Sequence, residues 1–269
     1  MLCVTNLLLH GIDTPLVYHD NSLTKDVLNY TDGDKFDVVL MNPPYGGNEK
    51  SDVKSHFPSD MRSSETADLF MVLIMYRLKK NGRAAVIVPD GFLFGADNTK
   101  IAIKTKLLRD FNLHTIIRLP GSIFAPYTSI ATNILFFDNT SAEGAPEGYS
   151  TKETWFYRLD MPEGYKHFSK TKSMKLEHCD PIREWWNDRK EIIIADGDEK
   201  SRCYSVEDLI ATDCNFDLCK FPKEDEEILP PAELLADYFK KRKALDHEID
   251  KTLAEIQRIL GINVNVDEL

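Results

Sequence analysis

Six residues, Phe36-Asp-Val-Val-Leu-Met41, run apolar toward both faces and stop directly at Asn42-Pro43-Pro44-Tyr45. A strand of this kind belongs inside a parallel sheet covered by helices on each side. In an open α/β sheet, ligands gather outside the carboxyl ends of the strands. The tetrapeptide therefore stands where a site would be. The same four residues also make a rigid extended turn, which can serve only to end a strand.

The flanking sequence supports such a sheet. Leu2 to His10 reads as the end of a helix stopped by Gly11. Leu16 to Tyr18 is a short strand candidate. Ala67 to Lys80 has helical spacing (Leu69, Leu73, Tyr76) and is closed at Gly82. Arg83 to Val88 reads as a buried strand stopped by Pro89, Asn98 to Phe111 as a helix, and Leu113 to Leu119 and Ile130 to Phe137 as two further strands. Strands alternating with helices predict an α/β fold with a parallel sheet.

Residues 139–150, rich in Ser, Gly, Pro, Thr and Glu, read as a surface loop. Trp155 to Leu159 follows as a strand. Residues 160–229 are mixed, with Trp185-Trp186 in a helix and an acidic linker over Pro222 to Glu227. Pro230-Pro231 then opens a long helix, Ala232 to Leu260. Its stripe of Leu245, Ile249, Leu253, Ile256 and Leu260 lies between charged faces, giving it coiled-coil character. The expected division is 1–140 for a catalytic portion, 141–229 for a mixed α/β extension, and 230–269 for an amphipathic contact helix.

Composition narrows the class. The chain is 42% hydrophobic and 29% charged, an ordinary globular balance. Its longest apolar runs fall short of the ~20 residues of a membrane span, and the first residues lack a signal peptide's pattern. The five cysteines are scattered, with no C-x-x-C pair, so the spacing favours neither a disulfide scaffold nor zinc. A reduced, cytoplasmic setting is expected. The net charge of −11 argues against strong independent binding of nucleic acid, which relies on Lys and Arg at phosphates.

The tetrapeptide suits the modification of a conjugated amine. Such a nitrogen is a poor nucleophile because its lone pair is delocalised. Two acceptors aimed at its hydrogens draw it toward a tetrahedral geometry. The Asn42 side-chain oxygen is one such acceptor. The Pro43 carbonyl, held stiff by the Pro44 ring, is the other. Tyr45 offers a flat face for stacking, worth about 1–3 kcal/mol for a base. A base inside a duplex must be flipped out to reach such a pocket. No general base is present, so positioning would carry most of the catalysis.

Asn-Pro-Pro-Tyr after a hydrophobic strand resembles the motif of S-adenosylmethionine-dependent amino-methyltransferases. Further blocks, among them Asn6 to Asp13, His19-Asp20, Gly82 to Gly95, Ile117 to Phe124 and Ala131 to Phe136, resemble in order and spacing the modification (M) subunit of type I restriction systems over roughly residues 1–175. The resemblance implies N6-adenine methylation of DNA with S-adenosylmethionine, in a complex with specificity (S) and restriction (R) subunits. It implies that Asp20 contacts the cofactor adenine, that Asn42, Pro43, Pro44 and Tyr45 form the catalytic motif, and that Phe124 is a second wall for the base. It also implies that the long helix packs on the S subunit. Otherwise Asp20 is a solvated loop carboxylate and Phe124 a core residue.

The sequence departs from that family in lacking its Gly-rich cofactor loop: no Gly-x-Gly occurs in the chain. The acidic residue expected to hold the ribose is missing too. In the family's sheet order, 3-2-1-4-5-7-6, Leu16 to Tyr18 would be strand 3 and Phe36 to Met41 strand 4, with strands 1 and 2 not found here. An incomplete Rossmann-like sheet is therefore expected, with strand 4 at an unpaired edge. The expectation is a truncated product, or half of a split enzyme whose N-terminal half is a separate chain. Alone, it should bind the cofactor weakly or not at all. Two alternatives stand beside this reading: a protein-glutamine methyltransferase using the same motif, and a catalytically silent interaction fragment.

Overall fold

A computed structural model describes residues 2–194, 197–220 and 231–260. Two units separate, residues 1–222 and 223–269. In the first, helix α1 (Leu2–Leu9) precedes strand β1 (Phe36–Met41), the short helix α2 (Ser51–Lys54) and helix α3 (Thr66–Arg77). Strand β2 (Leu78–Pro89), α4 (Asp90–Phe94), α5 (Asn98–Asp110), β3 (Asn112–Arg118) and β4 (Thr132–Asp138) follow. Next come β5 (Glu153–Arg158), α6 (Asp180–Asn187), β6 (Ile192–Ile194), β7 (Asp198–Ser205) and α7 (Val206–Ala211).

The seven strands form one mixed sheet in the order β1-β2-β4-β3-β5-β7-β6. Its first four strands reproduce the 4-5-7-6 half of the order expected from the family. The sheet is not purely parallel. β4 runs antiparallel to both β2 and β3. The reason is the link from β3 to β4, residues 119–131, which holds no crossover helix and so cannot return the chain for a parallel pairing.

Two further expectations are corrected. Residues Leu16 to Tyr18 form no strand, and all three are exposed. A strand needs a ladder partner, and among the described residues this segment pairs with none. The helix expected over Ala67 to Lys80 ends at Arg77, and residues 78–80 enter β2 instead. There Leu78 pairs with Phe36, and the Arg77 side chain donates to the Asp34 carbonyl (2.7 Å) while its guanidinium lies over the Tyr30 ring. Pairing with β1 captures these residues before Gly82 can cap the helix.

One main core lies between the sheet and the helices α3, α4, α5 and α7, with Leu69, Val72, Ile103, Leu107, Val86, Leu135 and Phe137 at its centre. A second, smaller core covers the opposite face under α6, built from Ile117, Leu119, Tyr157, Leu159 and Trp185. Among the described residues the second unit contains one helix, α8 (Pro231–Leu260), on which Leu245, Ile249, Leu253 and Ile256 are all exposed. The expected acidic linker lies outside the described residues.

Candidate active site

The carboxyl ends of β1, β2, β3 and β5 and the start of β4 share one end of the sheet, by their pairing. The tetrapeptide leaves β1 there. Pro43 is buried, Asn42 and Pro44 are exposed, and Tyr45 is half-buried. Gly46 (φ 76°) and Gly47 (φ 102°) then turn the chain in a conformation that glycine tolerates at little cost. The Gly47 carbonyl accepts from both the backbone N–H (3.3 Å) and the hydroxyl (3.0 Å) of Thr66 at the start of α3. The motif is thus tied to a helix at one side and to a strand at the other.

The loop from β3 to β4 brings Phe124 to Tyr45, with ring centroids 5.8 Å apart and planes tilted by 57°. The Tyr45 hydroxyl donates to the Asn42 side-chain oxygen. Burial pushes the Tyr45 hydroxyl up to about 12, so it remains a neutral donor through the neutral range, although the bond to Asn42 works the other way. A base held between two rings needs about 7 Å between their planes, two contacts of about 3.5 Å. The observed spacing is a closed arrangement, in which the phenol occupies the acceptor that an incoming amine would use.

Asp20 is not brought into this group. It is exposed, and its carboxylate accepts from the Asn21 N–H (2.8 Å), with no hydrogen bond or ion pair to the tetrapeptide among the described residues. The structure therefore joins Asn42, Tyr45 and Phe124 and leaves Asp20 apart.

Sequence reasoning missed the support beneath Phe124. Arg118, at the end of β3, is 1% exposed. It donates to Asn133 Oδ1 (3.3 Å) and Asp90 Oδ1 (3.5 Å) and pairs with Asp217. Asn133 in turn donates to Asp90 (2.5 Å). These residues come from the ends of β3, β2 and β4 and from the segment after α7. They anchor the stem of the loop, where the Leu119 N–H also donates to the Thr132 carbonyl (3.0 Å). An arginine directly after the apolar pair Ile116-Ile117, at the end of the strand, was the available signal.

Sheet order, strand directions and the placement of the tetrapeptide define the class as the S-adenosylmethionine-dependent methyltransferase fold. The N-6 DNA methylase family model matches residues 1–228, and the chain belongs to that family. It is similar to the type I restriction enzyme EcoEI methylase subunit of Escherichia coli, at 42% identity over 97% of this chain and 51% of the relative. It is also similar to the type I restriction enzyme EcoKI methylase subunit of Escherichia coli strain K12, at 31% identity over 74% of this chain and 40% of that one. Among solved structures, a chain described with complex assembly and conformational transition of the type I R-M system superposes with a TM-score of 0.70 at 32% identity. That match covers 96% of this chain and 52% of the other. The chain spans about half the length of the curated relatives it matches.

Proposed function

We propose that this chain supplies the target-base side of an N6-adenine DNA methyltransferase of the type I restriction-modification kind. The observation that carries the reading is the Asn42–Tyr45–Phe124 group at the carboxyl end of β1. Asn42 Oδ1 and the Pro43 carbonyl accept the two amine hydrogens of a flipped adenine. Tyr45 stacks on the base and Phe124 closes the far side. Water is kept out by the rings, and the amine is held in line for attack.

S-adenosylmethionine, when bound, supplies the methyl group. Among the described residues the only carboxylate assigned to it is Asp20, which faces the cofactor's adenine in this reading. One such contact does not build a cofactor site. The relatives it matches are about twice as long, and the remainder of that site belongs to sequence outside the stretch they share with this chain. The isolated chain therefore shows no micromolar affinity for S-adenosylmethionine in a calorimetric titration.

The complex includes DNA, an S subunit and an R subunit, in the cytoplasm. The exposed apolar stripe of α8 is the S-subunit contact, because a helix of this kind gains most of its stability by packing that stripe on something. Co-purification with a cognate S subunit should be lost when the chain ends at Leu229, and undiminished association refutes this contact. The reaction is tested by Asn42→Ala in an assembly completed by an upstream methyltransferase segment and the S subunit. Methyl transfer should fall by about 100-fold or more, the scale for loss of one positioned hydrogen-bonding group, while cofactor affinity holds. Equal loss of both makes Asn42 a structural residue. The amide-modifying alternative has no observation in its favour beyond the shared motif.

A further inference from the structure

We infer that the segment from Tyr165 to Lys175 is a phosphate-binding strip that grips the DNA backbone beside the flipped base. Between Gly164 and Leu176 the chain carries Lys166, Lys170, Lys172 and Lys175 and no Asp or Glu, in a protein of net charge −11. All four lysines are exposed, and among the described residues none forms an ion pair. Lys172 lies over the Tyr165 ring at 3.9 Å and donates to the Gly164 carbonyl (2.8 Å), neither of which neutralises it. A solvated acidic protein has little use for an uncompensated basic run unless something anionic meets it.

The strip is ordered and placed. Ser169 and Lys172 close a tight turn by reciprocal backbone hydrogen bonds of 3.1 and 3.2 Å. Phe168 is buried, with its ring against Tyr165 (5.6 Å) and His178 (5.9 Å). The Phe168 N–H donates to Ser122 Oγ at 2.8 Å. Ser122 is two residues before Phe124 in the loop that contacts Tyr45, and Tyr127 in the same loop is 93% exposed. At 3.8 Å per residue along each segment, and with the Phe168–Ser122 hydrogen bond between them, the Cα atoms of Lys166 and Lys170 lie no more than about 22 Å from that of Phe124.

This inference rests on the DNA reading above and names where the backbone is held. It also bears on the charge balance: a chain of net charge −11 can meet DNA through a local basic strip.

The test is fluorescence anisotropy of the full chain with a duplex carrying one adenine opposite an abasic site, titrated from about 50 to 200 mM salt. The quadruple variant Lys166→Gln, Lys170→Gln, Lys172→Gln, Lys175→Gln is compared with Lys80→Gln, Lys152→Gln, Lys190→Gln, Lys220→Gln, which removes the same charge at exposed positions elsewhere. The expected result is a salt slope smaller by about two to four in the first variant, about 0.9 per lost phosphate contact, and affinity at least about tenfold lower at 50 mM. The second variant should keep most of the wild-type slope. Equal effects of the two variants overturn the proposal, as does absence of wild-type binding at 50 mM. An unchanged DNA slope with lost S-subunit association would make the strip a protein contact and overturn it equally. Duplex binding is read without methyl transfer, so this test and the Asn42→Ala test fail independently.

Discussion

β1 and β4 have much the same apolar character, Phe-Asp-Val-Val-Leu-Met and Thr-Asn-Ile-Leu-Phe-Phe-Asp, and end in different states. β4 has ladder neighbours on both sides, and Leu135 and Phe137 are fully buried. β1 has one neighbour, and Leu40 is 78% and Val38 48% exposed. Recesses of about 360 and 200 Å³ lie against it, one lined by Phe36, Leu73 and Arg77 and the other by Val38, Leu40, Phe136 and Trp186. Apolar character in a strand states a need for cover, and the neighbours decide whether it is met. The candidate site straddles this difference. Phe124 stands on a loop stem fixed by a buried ionic network, whereas Asn42 and Tyr45 stand at the end of the exposed edge strand.

The largest effect should come from breaking the fixed side. Arg118→Met leaves Asp90 and Asp217 without the guanidinium that joins them, and removal of one partner of a buried pair costs about 3–5 kcal/mol. Urea denaturation measures it. A loss below about 1 kcal/mol would mean that the network does not hold the loop.

A second contrast compares the two strands directly. Leu135→Ala in β4 should cost about 2–5 kcal/mol, the range for a large-to-small change in a packed core. Leu40→Ala in β1 should stay within about 0.5 kcal/mol in this chain, as for other surface positions. In an assembly that also contains an upstream methyltransferase segment, Leu40→Ala should become costly. Equal losses in the isolated chain would remove the distinction between the strands.

The extent to which this was legible in the sequence follows the same division. Buried strands announced themselves, because Ile116-Ile117 or Val86 to Val88 need cover that the chain itself supplies. The tetrapeptide was legible since its position after a strand depends on local order alone. The reversed direction of β4 follows from the short helix-free link of residues 119–131, a property of connection length that strand composition does not carry. Leu16 to Tyr18 failed as a strand because pairing is not a local property. The ionic network under Phe124 joins residues up to 127 positions apart, Asp90 to Asp217, and no spacing rule relates them.

A smaller effect probes the covered side through pH. Lys104 on α5 is buried, donates to the Leu93 (3.0 Å) and Gly95 (2.9 Å) carbonyls, and is held down to about 8 by burial. Its unfolded value is 10.5. Below pH 8 both states are protonated and the cost of burying the charge is fully present. Above pH 8 the unfolded chain keeps a proton that the folded one sheds, so stability rises with pH by up to about 1.4 kcal/mol per unit. Burial pushes the Cys203 and Cys219 thiols up to about 12, which acts oppositely above pH 9. The window is therefore pH 8 to 9. Over it, unfolding free energy should climb in the wild type relative to Lys104→Met, and a constant difference between the two proteins would exclude this origin.

The smallest effect concerns the exposed side of the site. The Tyr45 hydroxyl sits on the Asn42 oxygen that an adenine amine would need, and the Tyr45 and Phe124 rings are in contact. Base entry must therefore break one hydrogen bond and move the rings apart. A net hydrogen bond is worth about 0.5–1.5 kcal/mol, so Tyr45→Phe should shift KM for DNA by no more than about tenfold, and downward, with kcat little changed. Tyr45→Ala removes the ring as well and loses stacking of about 1–3 kcal/mol, which raises KM. Opposite signs from two substitutions at one position separate the hydroxyl's role as a stand-in for the amine from the ring's role as a wall. Both variants are measured in the completed assembly by steady-state methyl transfer. If Tyr45→Phe raises KM as Tyr45→Ala does, the hydroxyl binds the substrate rather than holding its place.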